Sequence, residues 1–591
     1  MSDFRTVLIE DSRIADITDK EVFGVQSGAS QNTFQQFQAV SASNSSIVFN
    51  VQIPSQNIVI DRHLLINSTF TFTVAIGQVP PGSQAFNYGL TDCLQAFPLQ
   101  SLFTTVQATI NNVSVSTNLQ DVLPMLTRMN DNRMLCRYNS LTPSYVDNQW
   151  GLYYDGVLAN SNPLAAYANT GYDEDFEPRG AFPVGIVITH NITGGGTDNS
   201  VISTNLNDTW SIAITVEVTE PFLALSPFIN CKPNEEAGLV GINNMSLVLN
   251  VDSTCKRLFS TANSVVNGGG TGLQSYITGI TLGTTAVPNA FSNTRLFFNF
   301  LSLQPEQYAK ISTKNVVPFL DYPRYLSTAN NNAPIDPGVE TTLTSQSIQL
   351  NQIPDLILIS VRYPMSSQNW AYTSSFLTIN KISINFNNAS GLLSTAQQQD
   401  LYNLSYRNGS QQSFYEFSGV AGVNNSAGGT QVGVPTTGSL LVLNPALDFG
   451  LPSYLSSSSL GQYQFQFNIG VTNQFPFSIT PEICIITMNS GLFATTQGTS
   501  QIFTGILTKD QVLRTKEQNP VSHLTSSEYS RLVGGKHQNM GMSNVLSMIR
   551  QHPRLQHLRH GGATSGGVMS GGVMSGGSRQ KSSSKLDKYL S

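Results

Sequence analysis

The chain has 591 residues, of which 40% are hydrophobic and 11% are Asp, Glu, Lys or Arg, and its formal net charge is −6. That length exceeds a single core, which stops growing near ~250–300 residues, so two large domains or several small ones are expected. A charged fraction about half the ~25% of an ordinary soluble domain argues against an enzyme built around ionisable groups and points to a shell, a fibre or a binding surface.

Residues 47–53 (IVFNVQI) open the β pattern, with Phe49, Val51 and Ile53 on one face and Pro54 ending the run. In IVIDRHLLINSTFTFTVAIG, Phe70, Phe72, Val74 and Ile76 alternate with Thr and Ala, the period of a half-buried strand. Val106, Ala108 and Ile110 repeat it, as do Val113 and Val115. Residues 119–129 (LQDVLPMLTRM) read as a short helix interrupted by Pro124. Residues 138–180 are long, aromatic and irregular and read as loop. Ile212, Ile214, Val216 and Val218 predict another strand, ending at the two-proline corner EPFLALSPF, and Leu247, Leu249 and Val251 close the first set.

Residues 260–275 (STANSVVNGGGTGLQS) are the expected linker. The pattern then restarts at 297–303 (FFNFLSL), 348–364 (IQLNQIPDLILISVRYP) and 376–386, where Ile382, Ile384 and Phe386 share a face. A short helix is expected over 392–402, then strands at 436–445 and at YQFQFNIGV, where Tyr463, Phe465, Phe467, Ile469 and Val471 alternate without a break. ICIITM at 483–488 closes the second set. No βαβ alternation appears, so a parallel sheet is not expected. Roughly eight short strands per set suit a jelly roll; the same patterning also fits immunoglobulin-like sandwiches or a propeller. Against the rivals, loops are too long for an ordinary sandwich and no ~40–45-residue repeat is present.

The C-terminal region differs from the body. From Gln501 onward there are 12 Lys/Arg against 4 Asp/Glu, leaving 18 basic against 32 acidic residues before it. An acidic body of net −14 thus carries a tail of net +8 that contains a GVMSG repeat of linker character. The tail residues Arg550, Arg554, Arg559, Arg579, Lys581, Lys585 and Lys588 suit contact with nucleic-acid phosphates, an anionic membrane or a neighbouring subunit, or a solvated terminus. Base-stacking aromatics are nearly absent there, which argues against sequence-specific reading.

No catalytic constellation is present: neither HExxH nor GxSxG occurs. LVGGKHQ differs from a phosphate loop in having Ser530 where its first Gly belongs and His537 where Ser or Thr belongs. Asp173, Glu174, Asp175 and Glu177 form the one dense acidic run, a weak metal candidate or a solvated loop. His552, His557 and His560 read as part of the basic arm. No cofactor is expected. Cys93, Cys136, Cys231, Cys255 and Cys484 are odd in number and far apart, so buried free thiols are expected rather than a disulfide framework or a zinc site. The charged N-terminal stretch does not read as a signal peptide, so the sequons at Asn67, Asn112, Asn191 and Asn244 are expected to stay unmodified. No apolar stretch approaches the ~18–20 residues of a membrane span.

Several segments carry a resemblance in their order along the chain: IPSQNIVIDRHLLI (53–66), EPFLALSPFIN (220–230), EEAGLVGINNMSLVL (235–249) and QLNQIPDLILISVR (349–362). With them go ISINFNNASGLLSTAQQQDLYNLSYRNGS (382–410), TTGSLLVLNPALDFGL (436–451) and ITPEICIITMNSGLF (479–493), followed by ILTKDQVL. Through most of residues 45–510 the chain resembles the major capsid proteins of Polinton-like viruses, adintoviruses and virophages, in the double jelly-roll lineage that includes the adenovirus hexon. The resemblance implies an all-β fold of two tandem eight-stranded jelly rolls, with long loops, few short helices and a basic, partly flexible C-terminal arm. The corresponding division is an N-terminal arm (1–44), a first roll (45–259), a linker (260–275), a second roll (276–495) and a C-terminal extension (496–591).

The function so implied is structural: homotrimers forming pseudo-hexameric capsomers of an icosahedral double-stranded DNA virus shell, assembled inside the host cell and not secreted. The implied partners are the chain itself, neighbouring capsomers, penton and minor capsid proteins, and, through the basic tail at the inner face, viral DNA or an inner membrane. Loops such as 138–180 would form towers or bind neighbours. Two other readings are a receptor- or carbohydrate-binding fibre or spike, and a β-sandwich glycoside hydrolase. The first needs clustered exposed aromatics, whereas Trp150, Trp210 and Trp370 are widely spaced. The second needs two carboxylates across a cleft, which a run in one loop supplies poorly.

Overall fold

The computed structural model describes residues 6–8, 24–26, 31–55, 58–77, 92–94, 97–130, 184–191, 209–228, 238–261, 277–302, 314–328, 333–368, 376–424, 431–450, 457–475, 477–496, 498–505 and 507–508. The longer strands of the N-terminal half are β1 (Gln31–Gln38), β2 (Ser46–Gln52), β3 (Leu65–Ile76), β4 (Phe103–Ile110), β5 (Val113–Thr117), β6 (Val184–Asn191), β7 (Thr209–Pro221), β8 (Asn244–Val251), β9 (Ile277–Leu282) and β10 (Phe291–Ser302). They make two antiparallel sheets, β5-β4-β8-β2 and β6-β7-β3-β10-β1. Helices α1 (Pro98–Ser101) and α2 (Leu119–Met129) flank β4 and β5 in sequence. The alternation in β3 has the expected outcome: Phe70, Phe72, Val74 and Ile76 are all buried in the core with Ile212, Ile214 and Val216 of β7. Each such side chain contributes about 1.5–3 kcal/mol on leaving water.

The second half holds β11 (Lys314–Asp321), β12 (Arg324–Thr328), β13 (Glu340–Thr344), β14 (Ile348–Gln352), β15 (Leu356–Arg362), β16 (Thr378–Phe386), helix α3 (Gln398–Arg407), β17 (Leu441–Leu443), β18 (Ser459–Thr472), β19 (Glu482–Thr496) and β20 (Thr499–Thr504). One sheet runs β11-β19-β15-β17, with β12 and β20 also on β19; the other runs β13-β18-β16, with β14 also on β18. Between these sheets lies a second core containing Ile357, Ile359, Ile384, Phe465, Phe467, Ile469, Ile483 and Ile485. The molecule is therefore a double sandwich, and the chain up to Arg514 forms one compact unit.

Three boundaries differ from the sequence expectation. Both β9 and β10 pair with β3, so residues 277–302 belong to the first sandwich and 260–275 does not separate the two. The expectation followed composition, but a Gly-rich stretch marks a loop within a domain as well as one between domains. At the N-terminus, β1 pairs with β10, anchored by Phe37 against Phe298 at 5.5 Å, so the arm ends before residue 31. At the other end, β20 pairs with β19 and Leu507–Thr508 pairs with β18, carrying the second sandwich past 495.

Both helices form, the first within its expected limits and the second displaced along the chain. Residues 119–129 are one continuous helix containing Pro124. Pro124 has no N–H to offer the Gln120 carbonyl one turn back. That carbonyl instead accepts Nη1–H of Arg257 at 3.0 Å, so the break expected at the proline is repaired from outside the helix. The second helix is Gln398–Arg407, displaced from 392–402 because Ala389–Leu392 pairs with β16. The Asp400 carboxylate accepts the Gln397 N–H at 3.0 Å and sets the helix start.

Candidate functional site: the joint between the sandwiches and the exposed aromatic surface

Strands β15 and β19 read as nearly unbroken apolar runs because both of their faces are buried. Ile483 and Ile485 point into the second core, while Cys484 and Ile486 join the first. Leu358, Phe376, Leu440, Val442, Val317, Phe319 and Phe493 likewise pack into the first sandwich's cluster. The outer face of the β11-β19-β15-β17 sheet is thus the floor of a joint whose roof is the first sandwich.

Helix α2 lies at this joint. Its Asp121 side chain is fully buried, and its two oxygens are divided between two strands of the second sandwich. Oδ1 accepts Nη2–H of Arg362 at 2.5 Å, and Oδ2 accepts Nη1–H of Arg324. Arg362 also donates from Nε and Nη2 to Glu482 Oε2, at 3.2 and 3.1 Å. Glu482 is the cross-strand neighbour of Arg362 between β15 and β19. Burial alone would raise the Asp121 carboxyl, but the guanidiniums of Arg362 and Arg324 outweigh it and hold the group below the usual carboxylate range. Burial alone would lower Arg362, and its acidic partners reverse that.

Further polar contacts tie the joint. The Arg128 guanidinium lies 4.1 Å from the centre of the Phe376 ring, and the Arg128 carbonyl accepts the Gln411 N–H at 2.9 Å. Lys256 Nζ donates to the Ser366 carbonyl at 2.6 Å, and the Leu320 N–H donates to Ser226 Oγ at 3.0 Å. At the β20 side, Asn112 Oδ1 accepts the Ser500 N–H at 2.7 Å, and Asn111 Nδ2 donates to Ser500 Oγ at 3.0 Å. None of this was foreseen. The only signal was a charged residue inside or ending an apolar run, at Asp121 and Arg362.

A second feature is an aromatic surface on α3 and the turn after it. Tyr402 stacks on Tyr406 at 6.4 Å and meets Phe414 edge-on at 5.4 Å, and Phe414 meets Tyr415 at 6.3 Å. Tyr406 and Tyr415 are 64% and 63% exposed, and Leu447 nearby in sequence to the Arg407–Asp448 pair is 70% exposed. The adjoining face of α3 borders a shallow open depression of about 490 Å³ lined by Leu393, Asp400, Asn403, Leu404 and Arg407, among others. From Phe417 to Leu447 the chain has no charged residue.

Of the residues singled out from sequence, Asp173, Glu174, Asp175 and Glu177 lie outside the described residues, as do Arg550, Arg554, Arg559, Arg579, Lys581, Lys585 and Lys588. Among the described residues no cluster suited to a metal ion is found. Cys255 and Cys484 are buried free thiols, and burial pushes the Cys484 thiol up to about 12; the side chains of the other three cysteines lie outside the described residues. Trp210 is buried core rather than a sugar-stacking surface. The Asn67 side chain is buried and donates to the Val218 carbonyl at 3.2 Å and Thr219 Oγ1 at 2.9 Å, so that sequon is used internally.

This architecture is matched among known proteins. Residues 2–301 match the family model of the Sputnik virophage major capsid protein first domain, and residues 322–491 match that of the major capsid protein V20 C-terminal domain. The gap between the two matches runs from the last residue of β10 through β11 of the second sandwich. A curated relative, the putative capsid protein V20 of Sputnik virophage, is 24% identical over 548 residues, covering 90% of this chain and 84% of its own. A chain of the Sputnik virophage cryo-EM structure superposes with a TM-score of 0.70 at 22% identity, over 89% of this chain and 98% of that one. The crystal structure of the mavirus major capsid protein gives a TM-score of 0.62 at 17% identity, over 88% and 99%. The double jelly-roll fold expected from the sequence is therefore present, and the chain belongs to the Sputnik virophage major capsid protein family, whose members are structural proteins of a viral shell.

Proposed function

We propose that this capsid protein works as a homotrimer whose six sandwiches give each capsomer a pseudo-hexagonal outline, and that these capsomers tile an icosahedral shell. The observation that carries this reading is the joint: two sandwiches share one continuous apolar cluster, so they form a rigid two-lobed building block rather than beads on a tether. The exposed Tyr406, Tyr415 and Leu447 surface suits contact between copies, because aromatic side chains are enriched and charges depleted at interface centres. Function lies in these contacts and not in a reaction. The shell assembles inside the host cell, with penton and minor capsid proteins as further partners.

The basic segment holding Arg550, Arg554, Arg559, Arg579, Lys581, Lys585 and Lys588 lies at the inner face in this proposal, touching DNA or an inner membrane without sequence preference. The deciding experiment is light scattering of the full-length protein followed by negative-stain microscopy. A particle of three times 64.0 kDa with a hexagonal outline is the expected result. A monodisperse monomer that forms neither trimers nor shells at high concentration overturns it.

A further inference from the structure

Apolar contact holds two lobes together but is non-directional, so it does not by itself fix the angle between them. Several hydrogen bonds cross the joint, and the one directional feature among them built of buried ions is the cluster around Asp121. Asp121 is held on the first-sandwich side because Arg257, itself buried, binds the adjacent Gln120 carbonyl at 3.0 Å and the Phe103 carbonyl of β4 at 3.1 Å. On the second-sandwich side, Arg362 is clamped by Glu482 on the neighbouring strand. The Asp121 carboxylate spans the two, one oxygen to Arg362 and the other to Arg324. Arg324 and Arg362 sit opposite Ile486 and Glu482 on β19, so the carboxylate plane is triangulated against one sheet.

We infer that Asp121 and Arg362 are positioning residues for assembly: the Phe103–Arg257–Gln120/Asp121–Arg362–Glu482 chain of hydrogen bonds sets the angle between the two sandwiches, and through it the curvature of the shell. The inference rests on the capsid reading above. A small angular error in each subunit adds up around a closed shell, so the device shows itself in the uniformity of particles even where the stability of the fold is preserved. Arg362 Nη2 bonds Asp121 and Glu482 together while Nε grips Glu482 a second time, and this two-nitrogen hold fixes the guanidinium plane in a way a lysine's single rotating ammonium does not.

The test uses the full-length chain and two variants. Arg362→Lys keeps the charge and removes the fork. The triple change Asp121→Leu, Arg362→Met and Glu482→Gln replaces the buried ions with side chains of similar size. The triple variant is expected to melt within about 3 °C of the parent, since replacing buried ion partners by side chains of similar size is often neutral or stabilising, and Arg362→Lys, which keeps a cation beside both carboxylates, is expected to stay folded with a lowered melting temperature. Both are expected to broaden the distribution of shell diameters in electron micrographs by at least about two-fold. Shells as uniform as the parent's from either folded variant overturn the inference. If the parent builds no shells, the capsid reading fails, and small-angle scattering of the unassembled chains decides this inference separately. Superimposable curves for parent and Arg362→Lys then overturn it, and a displaced curve supports it.

Discussion

Asp121 and Glu220 are both buried acids, yet their surroundings drive them in opposite directions. Glu220 on β7 accepts the Leu99 and Gln100 N–H groups of α1, both at 2.9 Å, but burial dominates and pushes its carboxyl up to about 7 from 4.5. A group whose folded pKa is raised adds stability in full below its unfolded pKa and loses it as pH rises through the folded one. The contribution of Glu220, roughly 3 kcal/mol, therefore disappears between about pH 4.5 and 7, and Glu220→Gln flattens that part of the stability profile in denaturant melts across pH. Asp121 is held low, so its contribution is complete above the ordinary Asp range and is lost as pH falls below it. Asp121→Ala alone leaves Arg362 buried beside a single carboxylate and is expected to cost about 3–5 kcal/mol by urea unfolding. Neither environment was legible from the sequence, where both acids stand in apolar stretches; their partners lie 120 or more positions away.

Elements were easier to read than their surroundings. Alternation in 65–76, 209–221 and 459–472 identified strands and their inward faces, because a period of two is imposed by the pleat itself. Where a sheet is buried on both sides, as at β15 and β19, strand character was legible but the second buried face was not. The Pro124 helix shows an outside contact deciding continuity. Arg257→Met leaves the Gln120 and Phe103 carbonyls without their donor, and a loss of roughly 2–4 kcal/mol in a denaturant melt is expected. Gly438, at φ +81°, approaches the Phe376 carbonyl so closely that an added Cβ would lie 1.8 Å from its oxygen. Gly438→Ala is therefore expected to destabilise the turn before β17 by more than about 2 kcal/mol, measured in the same way.

For the whole molecule, the compact unit ends at Arg514, so deleting the chain after that residue is expected to leave the melting temperature unchanged. The same truncation should abolish any DNA binding that the full-length chain shows at low salt; equal retention by both proteins on a DNA column would remove the tail from that role. The sequence by itself determined the strongly alternating strands, the all-β class and the low charge density, since these depend on local periodicity and composition. It also carried the order of segments by which the family is recognised. Tertiary structure alone decided where one sandwich stops and the next begins, because β9 and β10 find their partner in β3, some 200 residues earlier. It alone decided the joint as well. Burial of a charge is determined by what packs against it, and the groups that enclose and balance Asp121 come from strands about 200 or more positions further along the chain.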